Sequence, residues 1–73
     1  MSEYLVVIEH EADSWGAYCP DLPGLGVVAD TRAEVEQLIR EAVAFHLDVL
    51  REAGDPIPPP AAVDTTLVEV PAA

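Results

Sequence analysis

A connection rich in proline and glycine, near the middle of the chain, most strongly limits how this sequence can fold. Residues 20–34 read P-D-L-P-G-L-G-V-V-A-D-T-R-A-E. Proline and glycine favour turns and interrupt regular structure, so the part from Pro20 to Gly24 predicts a tight connection. Thr31 and Glu34 have the spacing of a capping box: the threonine hydroxyl accepts from the Glu34 amide, and the carboxylate reaches back to the threonine amide. The stretch predicts a loop, a short strand and a helix start, in that order.

Apolar runs on both sides of this connection predict an α+β fold with the order β-β-β-α-β. The predicted strands are Tyr4–Ile8, Trp15–Cys19, Val27–Ala29 and Thr65–Val70. The first is apolar throughout, which predicts that both of its faces are covered. The predicted helix runs from Arg32 to about Ala53 and ends at Gly54, a typical helix terminator. We expect an antiparallel-rich sheet with this one helix packed on one face.

Length and cysteine content predict a single domain, residues 1–73, in a reducing compartment. Cys19 is the only cysteine, so no disulfide can form within the chain. Its position at the end of an apolar run predicts a packing role. The sequence has no signal-peptide pattern and no long apolar span, which predicts a cytoplasmic protein with no membrane partner.

The charge of the chain is strongly negative. The chain has fourteen acidic residues, three arginines and no lysine, which gives a formal net charge of −11. Binding to nucleic acid requires cationic side chains that displace counterions, so we expect no direct nucleic-acid partner. Two interpretations of the charge remain open. It favours association with a basic protein, and it is also typical of acidic surfaces that keep a protein soluble without specifying a partner.

The predicted helix carries more apolar surface than docking on a sheet requires. Its central stripe consists of Val35, Ile39, Ala42, His46, Val49 and Ala53. Further apolar residues widen the stripe on both sides, among them Phe45 on one edge and Leu47 on the other, to an arc of roughly 200°. One face of the predicted sheet also has no helix to cover it. This excess predicts a homo-oligomer, with Phe45 and Leu47 as candidate interface residues.

The chemistry-bearing residues predict neither an enzyme nor a metal or cofactor site. His10 lies among acids at a strand end without the spacing of a zinc site, and His46 falls within the apolar stripe, which favours packing. Acids that a nuclease could use to hold divalent ions are present at Glu9, Asp13, Asp21 and Asp30. The chain has about half the usual length of such an enzyme, and its negative charge would repel a nucleic-acid substrate, so catalysis is not predicted. A turn also explains Asp21, and the positive end of the helix dipole explains Asp30.

The motifs together resemble the HicB family of antitoxins from Tyr4 to about Pro60. The most specific match is P-D-L-P-G followed by A-D-T-R-A-E-V in the family's register. An apolar first strand that ends in acids, a hairpin around Trp15, and Gly54 followed by Ile57-Pro58 complete the match. The residues that carry the motif are Pro20, Asp21, Pro23, Gly24, Asp30, Thr31 and Glu34.

The resemblance implies a partial ribonuclease H-like fold and an antitoxin of a type II toxin–antitoxin system. Such an antitoxin binds and neutralises a small basic HicA-type toxin that cleaves messenger RNA. Longer family members add a DNA-binding domain after the fourth strand, and we expect none here. Exposed acids at Glu9, Glu11 and Asp13 are the candidate partner-binding residues. The alternative is an acidic oligomeric scaffold, or an orphan regulatory module, without a toxin partner.

Overall fold

The computed structural model describes residues 3–71, which form a three-stranded sheet with one helix on it. The strands are β1 (Val7–Glu11), β2 (Ser14–Tyr18) and β3 (Gly26–Ala29), and the helix is α1 (Arg32–Ala53). The sheet order is β1-β2-β3, and both neighbouring pairs are antiparallel. The predicted α+β fold with one helix on one sheet face is therefore confirmed for these four elements.

β1 lies later in the chain than predicted, because the position of its partner decides where pairing is possible. Val7 pairs with Tyr18, and Glu11 pairs with Ser14. β2 ends at Tyr18 because the carbonyl of Cys19 accepts from the Leu22 amide in a turn. The residues before Val7 therefore have no strand to pair with. The helix packs on β2 and β3 and much less on β1, so the prediction that both faces of the first strand are covered is wrong.

The loop between β1 and β2 consists of two residues, Ala12 and Asp13. Only Ala12 has a positive φ, 48°. A hairpin loop of two residues needs such a conformation because its twist must match the twist of the strands. Alanine adopts it at a cost that glycine does not have, because its Cβ approaches neighbouring backbone atoms.

The proline- and glycine-rich connection forms two consecutive turns. The amide of Leu22 donates to the Cys19 carbonyl (3.0 Å), and the amide of Leu25 donates to the Leu22 carbonyl (3.2 Å). A proline occupies the second position of each turn, where its fixed φ is favourable. Gly24, at the third position of the second turn, has a φ of 83°, which is the conformation that a type II turn requires there.

Both ends of α1 are capped by local hydrogen bonds. The Thr31 hydroxyl accepts from the Glu34 amide (3.1 Å) and donates to the Glu34 carboxylate (3.1 Å). The carboxylate thus accepts from the threonine hydroxyl, where the sequence predicted the threonine amide. Gly54 has a φ of 73°, and its amide donates to the Arg51 carbonyl. The amide of residue 55 donates to the Leu50 carbonyl (2.9 Å), which completes a Schellman motif.

A small core lies between the sheet and the first half of the helix. Its buried residues are Ala17, Cys19, Leu22, Val35 and Ile39. The packing role predicted for Cys19 is confirmed. The helix, about 33 Å long at 1.5 Å per residue, extends well past strands of about 17 Å. The radius of gyration is 14.2 Å, compared with about 11 Å for a compact domain of this length.

The predicted fourth strand, Thr65–Val70, does not form, so that part of the predicted order is wrong. Residues 55–71 contain no helix or strand. The segment crosses the end of the sheet, where the Tyr4 hydroxyl donates to the Pro58 carbonyl. The amides of Ala61 and Ala62 donate to the Asp21 carboxylate. The acceptor is thus a side chain and not the backbone of a strand, so these hydrogen bonds do not begin a β-ladder.

Candidate protein-binding surface

The face of the sheet opposite the helix, called the outer face below, is open. Ile8, Ala17 and Val27 contact the core on the helix side, and side chains alternate between the two faces of a strand. The residues between them therefore form the outer face: Val7, Glu9, Glu11, Ser14, Gly16, Tyr18, Gly26 and Val28. Val28 is 70% exposed. The outer face thus combines apolar and acidic side chains with two glycines, Gly16 and Gly26, that carry no side chain.

The three acids predicted to bind a partner lie at the hairpin end of this sheet. Glu9 and Glu11 are two residues apart on β1 and share the outer face, while Asp13 lies in the hairpin loop. All three are exposed. Glu9 lies beside Gly16, which has no side chain to cover it. These acids form an exposed negative cluster next to Val28.

No arginine compensates this negative cluster within residues 3–71. The two ion pairs of the described chain both lie on the helix surface. Arg32 pairs with Glu36 at 3.2 Å, and Arg51 pairs with Asp48 at 2.9 Å. The acids at the hairpin end remain available to an external cation, such as a lysine or arginine of another protein.

His10 is engaged by packing. Its ring stacks on Trp15, its cross-strand partner, with ring centroids 4.0 Å apart and an angle of 4° between the planes. Such cross-strand pairs stabilise a sheet. In residues 3–71, no group of three or more histidine, cysteine, aspartate or glutamate side chains is arranged to hold a metal ion.

The four acids that a nuclease could use lie at two different ends of the sheet. Asp13 precedes β2 and Asp21 follows it, so a five-residue strand of about 17 Å separates them. Asp30 follows β3, at the hairpin end, and Glu9 points to the outer face. The structure does not bring these carboxylates together.

Asp21 has a role that the sequence did not indicate. One oxygen of its carboxylate accepts from the amides of Ala61 and Ala62, both at 3.1 Å. These amides are 40 and 41 residues away in the chain. The sequence interpretation placed Asp21 in a local turn, and no local pattern identifies partners at such a distance. We call this contact the Asp21 latch, because it fixes the segment that follows the helix.

A second open surface, called the β1–helix groove below, lies between the start of β1 and the helix. It has a volume of about 950 Å³. Its apolar lining includes Tyr4, Val6, Ile8, Val43, Leu47 and Ile57. Arg40 and Arg51 also line it. The groove exists because the helix packs on β2 and β3. Sequence analysis did not locate it, although the wide apolar arc of the helix was a signal for it.

The opposite flank of the helix is also apolar and exposed. Phe45 is 71% exposed, and Leu38 and Val49 lie beside it, at spacings of seven and four residues, on the same flank. The two candidate interface residues therefore lie on different flanks, because Phe45 projects into solvent and Leu47 lines the β1–helix groove.

Comparison with known protein families agrees with the motif and fold described above. The family described as the HicB-like antitoxin of bacterial toxin–antitoxin systems matches residues 4–71. The chain belongs to this family. The comparisons of this HicB-like chain with curated proteins and with solved structures gave no match.

Membership gives this HicB-like chain the role of an antitoxin, a regulatory protein that acts on a toxin partner. The surfaces that could receive such a partner are the outer face with its acids, the exposed helix flank around Phe45, and the β1–helix groove. In the part of the chain that the structure describes, no helix is long and apolar enough to cross a membrane.

Proposed function

We propose that this antitoxin neutralises a small basic HicA-type ribonuclease by binding it at the hairpin end of the outer face. Family membership supports a toxin partner. One observation supports a basic partner: Glu9, Glu11 and Asp13 form an exposed cluster with no ion pair among residues 3–71, on a chain with a net charge of −11. The protein acts by covering the toxin and performs no catalysis.

Electrostatic steering accounts for fast association in this proposal. A negative patch raises the rate at which a positively charged partner is encountered, and salt reduces the effect because the screening length is about 10 Å at 0.1 M. The adjacent apolar side chains of Val28, Tyr18 and Val7 then supply contacts that hold the complex once it has formed. Charge on the patch should therefore act on the association rate, and apolar contacts on the dissociation rate.

Co-expression with a basic toxin encoded beside this chain tests the proposal. The expected results are a stable complex and relief of the toxin's growth inhibition. The double variant Glu9→Lys, Glu11→Lys should slow association at least tenfold at low salt, which corresponds to about 1.4 kcal/mol. Its matched control is Glu41→Lys, Glu52→Lys, which changes the charge equally on exposed helix positions and should have a much smaller effect.

A second candidate function is an acidic oligomeric scaffold, or an orphan regulatory module, with no toxin partner. The exposed helix flank at Leu38, Phe45 and Val49 favours it, because apolar surface of this kind is typical of association with another copy or another protein. Absence of any complex and of any growth relief in the co-expression experiment would leave this candidate in place. Both candidate functions include self-association of the chain, and Phe45 and Leu47 are the proposed contact residues.

A further inference from the structure

The β1–helix groove and residues 64–71, called the tail below, are two apolar surfaces that stay apart in the described chain. Leu67 is 99% exposed, Val68 76% and Val70 77%. The groove lies against β1, which is an edge strand because the sheet order is β1-β2-β3. An edge strand offers unpaired backbone amides and carbonyls to any extended segment that lies beside it.

The tail has the sequence of a strand that would fit this groove. Residues 65–70 read T-T-L-V-E-V. Four of the six residues are β-branched, a composition that strands favour. In an extended conformation Thr66, Val68 and Val70 share one face. A strand added to the outer edge of β1 would direct one face toward the helix side, where Val6, Ile8, Val43 and Leu47 line the groove.

The β1–helix groove is less negative than the chain as a whole. Two of the three arginines of a chain with a net charge of −11, Arg40 and Arg51, line it together with Glu3 and Glu36. Arg51 already pairs with Asp48. Arg40 forms no ion pair among residues 3–71. The two arginines balance the two glutamates of the lining, so another copy of this acidic chain meets less repulsion there than the net charge of −11 would give.

Beyond the Asp21 latch, the tail does not cover its own groove: no residue of the tail lines it. The segment passes Tyr4 at Pro58 and is then held at Ala61 and Ala62 by the carboxylate. From this anchor, residues 64–71 extend without covering Leu67, Val68 or Val70. An eight-residue tail spans about 26 Å when extended, which is enough to reach along the edge strand of a neighbouring copy.

We propose that two copies of this chain form a symmetric dimer in which each tail adds a fourth strand to β1 of the other copy. The donated strand places Val68 and Val70 in the partner's β1–helix groove and leaves Glu69 on the opposite, solvent-facing side of the sheet. The exchange is reciprocal, so one two-fold axis relates two identical contacts. In this dimer each sheet gains its fourth strand from the other chain. The proposal does not depend on toxin binding.

Sedimentation equilibrium of the full chain and of two matched variants tests the assembly. The wild type should have twice the monomer mass of 7.8 kDa. Val68→Asp should raise the dimer dissociation constant at least about tenfold, because both grooves lose an apolar contact and gain a buried carboxylate. The control Val63→Asp introduces the same charge before the tail, at a residue that is 86% exposed, and should remain dimeric. A monomeric wild type, or equal effects of the two variants, would overturn the proposal.

Disulfide trapping shows which tail fills which groove. One chain carries Leu47→Cys and a second, tagged chain carries Val68→Cys; native Cys19 is buried and does not compete. Oxidation of the mixture should give a covalent species that contains both chains. A crosslink that forms only within one chain carrying both substitutions would show that each tail fills its own groove, and would refute exchange. Circular dichroism at low concentration should be unchanged in the tail variants, because Val68 is exposed within its own chain.

Discussion

Removal of the Asp21 latch should release the segment that follows the helix while leaving the sheet and helix folded. Asp21→Ala removes the oxygen that accepts from the amides of Ala61 and Ala62 at 3.1 Å each. A hydrogen bond to a charged group contributes about 1.5–3 kcal/mol where water is excluded. Ala61 is exposed and Ala62 is half-buried, so water replaces the lost acceptor at low cost. We therefore expect about 0.5–1 kcal/mol for each bond, or about 1–2 kcal/mol in total.

Two measurements separate the local effect from the global one. Amide hydrogen exchange at Ala61 and Ala62 should become at least fivefold faster, because about 1 kcal/mol of local protection is lost. The unfolding temperature should fall by about 4–8 °C for each kcal/mol that contributes to global stability in a domain of this size. The buried core around Val35 and Ile39 should keep its slow exchange.

Asp13→Ala is the matched control, because it changes the charge equally at an exposed residue of the hairpin loop. It should leave exchange at Ala61 and Ala62 unchanged. Unchanged protection of these two amides in Asp21→Ala would refute the latch. Equal acceleration in both variants would show that the net charge, and not the hydrogen bonds, fixes the segment.

Two backbone substitutions test the turn and cap geometry in opposite directions. Ala12→Gly should stabilise the chain by about 0.5–1 kcal/mol in urea unfolding, since glycine adopts the φ of 48° found at this residue more readily than alanine; a loss of stability would contradict the positive φ. Gly54→Ala should destabilise it by about 1 kcal/mol, because φ is 73° there. A Cβ at residue 54 meets no atom within 4 Å, so the cost is conformational, and a loss well above 2 kcal/mol would point to a steric clash instead.

Local chemistry was sufficient to place the helix and the turns. Thr31 and Gly54 act on backbone groups within four residues of themselves, so the bounds predicted from them, Arg32 and about Ala53, agree with the structure. Pro20, Pro23 and Gly24 likewise set the conformation of turns that close over four residues. The residues that make these interactions are close together in the sequence, so a local sequence pattern is enough to identify them.

The antitoxin role could also be inferred from sequence, whereas the shape of the surface could not. The family motif and the charge of −11 are properties of the chain alone. The open outer face was expected from the presence of a single helix. The position of that helix over β2 and β3, which leaves a groove beside β1, depends on how side chains from distant elements fill the core.

Pairing between distant segments was decided only by the tertiary structure. The apolar run at Tyr4–Ile8 predicted a strand there, but β1 begins at Val7 because β2 has no residue to pair with earlier ones. Thr65–Val70 has the composition of a strand and yet pairs with no strand among residues 3–71, since Asp21 holds Ala61 and Ala62 at the end of the sheet. A strand forms only where another backbone offers it a ladder, and the sequence of a segment does not say where that backbone lies.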